Sequence, residues 1–191
     1  MIKHLKQIIS ALNGWHFLPG PFTVLLIVVA DSVGWDFLLS KSLHEYLALA
    51  LTGAAILLCI AHLRVHGGAL FIILTFFTLN LFCREIHFAG TDITIYLALF
   101  LTPLWAWLWL DRIVDVFEDK RFLSIFTSTL FTYFLSQLIA RRVFRGIPGE
   151  DMLHVPLEEA VETTAHIMLI ISYSLASWKR SPNCVKKDHI S

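Results

Sequence analysis

The sequence predicts an all-α, polytopic integral membrane bundle of about six transmembrane helices, preceded by an N-terminal interfacial amphipathic helix. Two observations concern composition: 57% of the 191 residues are hydrophobic and only 16% are charged, whereas soluble domains carry about 25% charged residues. The third is the recurrence of apolar stretches of about 20 residues, the length that crosses a bilayer. Because the formal net charge is zero, no overall field attracts nucleic acid. We therefore expect membrane lipids, and other membrane protein subunits, as partners.

The first element is a short amphipathic segment at residues 1–13. Its apolar residues recur with the period of a helix and share one face, while its polar residues lie on the other: Ile2, Leu5, Ile8, Ile9 and Leu12 against Lys3, Lys6, Gln7 and Ser10. This pattern is typical of a helix that lies in the membrane surface. We predict such a helix within residues 1–14, with Gly14 as its stop.

Six apolar stretches follow, at residues 19–40, 43–63, 68–88, 93–110, 121–140 and 157–178. Ser42 and Glu45 have the spacing of a capping box at the start of the second stretch. Pro156 is placed to occupy the first turn of the sixth. Because the connections are short, neighbouring helices should be antiparallel. We expect one six-span domain at 15–180 and a polar C-terminal tail at 181–191.

The basic residues are distributed unevenly between the two sides of this six-span arrangement. Ten Lys and Arg residues fall on the side that holds both termini, and five fall on the opposite side. Basic residues are enriched on the cytoplasmic side of membrane proteins. The sequence therefore predicts cytoplasmic termini in a bacterial-type inner membrane or a plasma membrane. In either orientation, the end of the third stretch and the start of the sixth lie at the same membrane face.

Glu162 and His166 stand one helical turn apart inside the sixth stretch, and so share a face of the helix. An ionisable group inside a membrane costs about 2.5–3.5 kcal/mol on insertion scales and usually faces the bundle interior with a partner. The end of the third stretch supplies partners at the same membrane face, namely Arg84, Glu85 and His87. We predict that Glu162 reaches one of these three directly or through one water.

The carboxylates and imidazoles at this face are the candidate metal ligands: Glu85, His87, Glu158, Glu159, Glu162 and His166. Oxygen and imidazole ligands together suit Zn, Fe, Mn or Cu. Acids in a first helical turn also have a simpler explanation, since they complement the helix dipole. A polar network is expected around these ligands, formed by Asn80, Arg84, Ser136 and Gln137. A site for a lipid headgroup or another anion is expected at three arginines, Arg141, Arg142 and Arg145.

Three interpretations of this cluster stay open: an ion-pair network without a ligand, a metal or proton site, and an anion site. They correspond to a binding or transport-related membrane protein as the leading function, with two alternatives. One alternative is a non-catalytic accessory subunit of a larger membrane complex, and the other is a membrane-embedded metalloenzyme acting on lipid. The sequence contains no G-x-S-x-G, Walker, H-E-x-x-H or G-x-G-x-x-G motif. It therefore indicates no catalytic residue, and no cofactor other than a candidate divalent metal ion.

Overall fold

The computed structural model describes residues 2–86, 92–109, 112–113, 119–146 and 150–176. Within these ranges the chain forms α-helices and two short 3₁₀ turns, at Gly14–Phe17 and Asp36–Leu39, and no β-strand. The prediction of an all-α fold is confirmed, whereas the predicted tail at 181–191 lies outside the described residues. The helices are α1 (Ile2–Ala11), α2 (Pro19–Val33), α3 (Lys41–His66), α4 (Ala69–Glu85), α5 (Asp92–Leu108), α6 (Lys120–Ala140) and α7 (Glu150–Leu175).

Three segments of the described chain are long and apolar enough to cross a membrane: Gly14–Val33, Lys41–Val65 and Lys120–Ala140. They correspond to α2 with its preceding turn, α3 and α6. Large apolar side chains are exposed on the outside of the bundle, for example Phe22 at 63% and Leu57 at 70%. This surface suits hydrocarbon rather than water. These features indicate a membrane protein, while the other three predicted spans stay a prediction.

The helix in the first apolar stretch is shorter than the predicted range of 19–40. It ends at Val33 because Gly34 adopts a left-handed conformation with φ of 77°, and its N–H bonds back to the carbonyls of Ala30 and Asp31. Glycine adopts this conformation without strain and so ends helices readily. Residues 36–39 then form a separate 3₁₀ turn.

The last helix begins well before the predicted start at residue 157. It starts at Glu150 and continues through Pro156, so the placement of Pro156 in the first turn is wrong. Glu150 and Asp151 occupy that turn instead, where negative charge complements the helix dipole. Both acids also pair with Arg142, which fixes the beginning of the helix against the end of α6.

The start of α3 also differs from the prediction. The residue before the helix is Ser40, whose side chain makes no capping hydrogen bond, so the capping box of Ser42 with Glu45 is wrong. Glu45 instead forms an exposed ion pair with Lys41, one turn earlier, at 3.5 Å. An exposed pair of this kind contributes little to stability.

Helix α7 lies at the centre of the bundle, where it packs most extensively on α6 and also contacts α3 and α2. Two buried apolar clusters surround it. One joins α3, α4, α6 and α7 around Phe71, Leu169 and Tyr173, which are fully buried. The other joins α2, α6 and α7 around Ile27 and Val161. A polar residue on the inner faces of α7 is therefore shielded by several helices at once.

The N-terminal segment is attached to the beginning of α6. The backbone N–H of Asn13 donates to Ser124 Oγ at 3.0 Å, and His16 Nδ1 lies 2.7 Å from the same oxygen. Helix α1 therefore leads into a turn that is fixed against the bundle. The side chains of residues 2–5 and 7 lie outside the described part of the chain, so the interfacial role of α1 stays a prediction.

Candidate metal centre between the fourth, sixth and seventh helices

Two threonines position the central part of α7 against its neighbours. Thr164 Oγ1 lies 2.8 Å from Thr23 Oγ1 of α2, and Thr163 Oγ1 lies 3.1 Å from Nδ1 of the buried His44 of α3. Successive residues of a helix are about 100° apart. With Thr163 and Thr164 directed at α3 and α2, Glu162 and His166 face the remaining neighbours, α4 and α6.

An ion-pair bridge joins α4 to α7. Arg84 lies in the last turn of α4, and its guanidinium contacts the carboxylate of Glu162. The same nitrogen, Nη2, also donates to Glu85 Oε1 at 2.9 Å. The side chains of Glu85 and Glu162 are each 10% exposed, and that of Arg84 is 18% exposed. The prediction that Glu162 reaches the end of the third apolar stretch is therefore confirmed.

His166 completes this cluster and is 1% exposed. Its Nδ1 lies 2.7 Å from the carbonyl oxygen of Glu162. Because a carbonyl can only accept, Nδ1 carries the proton, and in the neutral ring Nε2 presents its lone pair. Nε2 lies 3.8 Å from Glu85 Oε1 and has no hydrogen-bond partner among the residues that the structure describes.

Glu85, Glu162 and His166 together form a group that could hold a metal ion, and we call it the triad. One ligand atom from each residue lies within 4.8 Å of the other two. The triad gathers donors from the last turn of α4 and from two successive turns of α7. Glu162 lies 12 residues into α7, which corresponds to about 18 Å along the helix. The triad is therefore much farther from the start of α7 than a helix beginning near Pro156 would place it.

Tyr133 of α6 is a part of the site that the sequence did not indicate. Its ring packs edge-on against the imidazole of His166, with the centroids 5.4 Å apart and the planes at 80°. Its buried hydroxyl has no hydrogen-bond partner within the described ranges, and it lies in electrostatic range of Arg84 and Glu85. In the sequence, Tyr133 could have been assigned to the site from its position three residues before Ser136, on the polar side of α6.

Ser128, Thr132 and Ser136 form a stripe along α6 that is fully buried. Thr132 Oγ1 donates to the carbonyl of Ser128, and Ser136 Oγ donates to that of Tyr133, at 2.9 and 2.8 Å. Hydroxyls that bond to their own backbone need no partner on another helix. Small side chains of this kind let α6 and α7 approach closely, so the stripe serves packing.

Two other members of the predicted polar network, Asn80 and Ser136, bond to backbone carbonyls of their own helices. The Asn80 amide donates to the carbonyl of Phe76 in its own helix at 2.7 Å. Gln137 is half-buried on α6. Of the predicted network, Arg84 is therefore the residue whose side chain directly contacts the triad.

Glu158 and Glu159 are half-buried and lie about two turns into α7. Their explanation as first-turn acids is wrong, because the helix begins eight residues before Glu158. Both acids lie in electrostatic range of Lys41; Arg84 is also in range of Glu158, and Glu85 is also in range of Glu159. Neither is part of the triad. His87, the remaining predicted metal ligand, lies outside the described residues.

The three arginines between α6 and α7 differ in their surroundings. Arg142 donates to Glu150 Oε2 at 2.8 Å and also contacts Asp151. Its backbone φ of 54° lies in the left-handed region, which residues other than glycine adopt only rarely. The side chain of Arg142 therefore stabilises the turn into α7 through its pairing with Glu150 and Asp151. Arg141 and Arg145 are exposed, and an anion or headgroup contact at these two positions stays a prediction.

Comparison with known proteins supplies no relative for this chain: no protein-family model, curated protein or solved structure matches it. The functional argument therefore depends on the geometry of the site itself.

Proposed function

We propose that this chain is a polytopic membrane protein whose triad of Glu85, Glu162 and His166 binds a divalent transition-metal ion inside the bundle. The observation that carries the proposal is His166 Nε2, a buried nitrogen atom that has no hydrogen-bond partner in the described structure and lies beside Glu85. Leaving such an atom without a partner is costly. A metal ion would satisfy it.

The chemistry of the donors favours a transition metal. Imidazole nitrogen suits Zn, Fe or Cu, whereas Mg²⁺ and Ca²⁺ prefer oxygen ligands throughout. A metal-binding histidine usually donates its other N–H to a carboxylate or a carbonyl, as His166 Nδ1 does to Glu162. With metal–ligand bonds of about 2 Å, the ligand atoms would have to move inward by about 1 Å.

The proposal includes a six-span topology in which α2 to α7 cross the membrane and both termini are cytoplasmic. Helices α4 and α5 have 17 residues each, or about 25 Å, which is at the lower end of the spanning range. Helix α7 has 26 residues but carries the acids of the site. Binding of an ion between these helices is compatible with a role in transport or in metal-dependent regulation at a bacterial-type inner membrane or a plasma membrane.

The test is a titration of the full-length protein in detergent with Co²⁺, whose visible absorption reports nitrogen and oxygen coordination. We expect one Co²⁺ per chain, displaced by Zn²⁺ but not by excess Mg²⁺. His166→Ala should abolish binding. His154→Ala is the matched control, because His154 lies three turns earlier on α7, where its Nδ1 is 3.1 Å from the backbone carbonyl oxygen of Asp151. Absence of binding in the wild type, or equal loss in both variants, would contradict the proposal.

A second candidate is a structural bridge in an accessory subunit, and one observation favours it. Arg84 already pairs with both carboxylates of the triad, so two of the three ligands have a partner without any metal. In that case Co²⁺ would not bind and chelators would leave the melting temperature unchanged. The protein would also remain with partner subunits during gentle purification from its native membrane.

A further inference from the structure

The carboxylates that would bind a metal ion are the same ones that Arg84 contacts. Its guanidinium lies against Glu162 and donates to Glu85 at 2.9 Å. A metal ion and a guanidinium cannot share these oxygens at close range, because two cations there would repel each other in a weakly screened interior. Binding of an ion at the triad therefore requires Arg84 to move.

Glu158 is the acid best placed to receive the displaced arginine. It lies four residues before Glu162, on the same face of α7. Arg84 is in electrostatic range of it, together with His154 and Lys41. It is half-buried, so its carboxylate is open to a new partner. Glu159 lies about 100° around the helix, and its charged surroundings are Glu158, Lys41, Glu45 and Glu85.

We infer that Arg84 is a built-in competing cation that sets the affinity of the triad for a divalent ion, and that Glu158 holds its side chain when the ion is bound. This inference depends on the proposed function. In the ion-free state Arg84 neutralises one of the two triad carboxylate charges. In the ion-bound state the divalent ion neutralises both, and Arg84 pairs with Glu158. Each state thus places a cation beside both carboxylates of the triad.

The experiment measures Co²⁺ affinity in four variants of the full-length protein. Arg84→Gln should bind at least about tenfold more tightly than the wild type, because it removes a like charge beside the ligands. Arg84→Lys keeps the charge and should not tighten binding. Glu158→Gln should weaken binding by at least about fivefold, since displacement of Arg84 becomes less favourable. Glu159→Gln is the control for loss of a negative charge near the triad, and it should weaken binding less than Glu158→Gln does.

The outcomes separate this inference from the proposed function. If the wild type binds Co²⁺ but Arg84→Gln binds equally or more weakly, Arg84 is not a competitor and the inference is wrong while the metal site stands. If Glu158→Gln and Glu159→Gln behave alike, Glu158 is not the receiving acid. If the wild type does not bind Co²⁺, the proposed function and this inference both fail. Should Arg84→Gln not fold, the difference in Co²⁺ affinity between Glu158→Gln and Glu159→Gln still tests whether Glu158 receives the Arg84 side chain.

Discussion

Replacing Arg84 with methionine tests whether the bridge between α4 and α7 stabilises the fold. The change leaves the carboxylates of Glu85 and Glu162 without their guanidinium, and both side chains are only 10% exposed. Removing one partner of a buried ion pair typically costs about 3–5 kcal/mol. In a chain of this length, 3 kcal/mol corresponds to a fall in melting temperature of about 6–12 °C.

Glu162→Gln should be milder than Arg84→Met, and the structure gives the reason. Without the Glu162 carboxylate, Arg84 keeps its bond to Glu85 at 2.9 Å, so no charge is left without a partner. The loss is then that of a charged hydrogen bond, about 1.5–3 kcal/mol. The double variant should cost less than the sum of the two single changes by about 0.5–3 kcal/mol, the usual range for coupled residues.

The assay is thermal unfolding in detergent of the wild type, the two single variants and the double variant, each with and without a chelator. Co²⁺ should restore part of the stability of Arg84→Met, because the ion supplies the charge that the variant lacks. If Arg84→Met melts within about 2 °C of the wild type, the bridge contributes nothing to stability. Strictly additive losses would show that Arg84 and Glu162 do not interact in the folded protein.

Three further predictions concern packing, a buried histidine and topology. Gly20→Leu should lower the melting temperature, because a Cβ at this position would meet Thr132 at 3.3 Å and overpacking costs about 1–3 kcal/mol. Gly14→Leu is the control, since the space around Gly14 is open, and equal effects of the two changes would contradict the prediction. His44→Ala should cost about 1–3 kcal/mol, measured in the same melt, because it removes the contact with the Leu38 carbonyl at 2.9 Å. In intact cells, an impermeant thiol reagent should label Gly146→Cys but not Cys184, and the reverse pattern would invert the proposed orientation.

The pairing of α4 with α7 could be predicted from the sequence because charge inside an apolar segment is so costly. Glu162 requires a cation at the same membrane face. Because successive spans run in opposite directions, the end of the third apolar stretch lies at that face and provides Arg84. Knowledge of where each helix begins was not required for this step. The contact of Arg84 with Glu162 confirms that reasoning.

The helix boundaries were less predictable because they depend on local contacts that composition does not reveal. The left-handed conformation of Gly34 ends α2 early, and the pairing of Arg142 with Glu150 and Asp151 starts α7 early. The role of Tyr133 was hidden for a different reason. An aromatic residue in an apolar helix is normally a packing residue, and only its position against His166 shows that it belongs to the site.

The bridge between Arg84 and Glu162 also has a consequence for biogenesis. Insertion of an acid at the middle of a bilayer is unfavourable by about 2.5–3.5 kcal/mol, and α7 carries Glu162 together with Glu158 and Glu159. In the proposed topology, α4 leaves the ribosome long before α7, so Arg84 is already in the membrane as a partner for Glu162 when α7 reaches the translocon. The last helix would then enter the bilayer by docking on its predecessors rather than by its own hydrophobicity. A nascent chain that ends before Glu150 would lack this interhelical bridge, and its Arg84 would have Glu85 of the same helix as its partner.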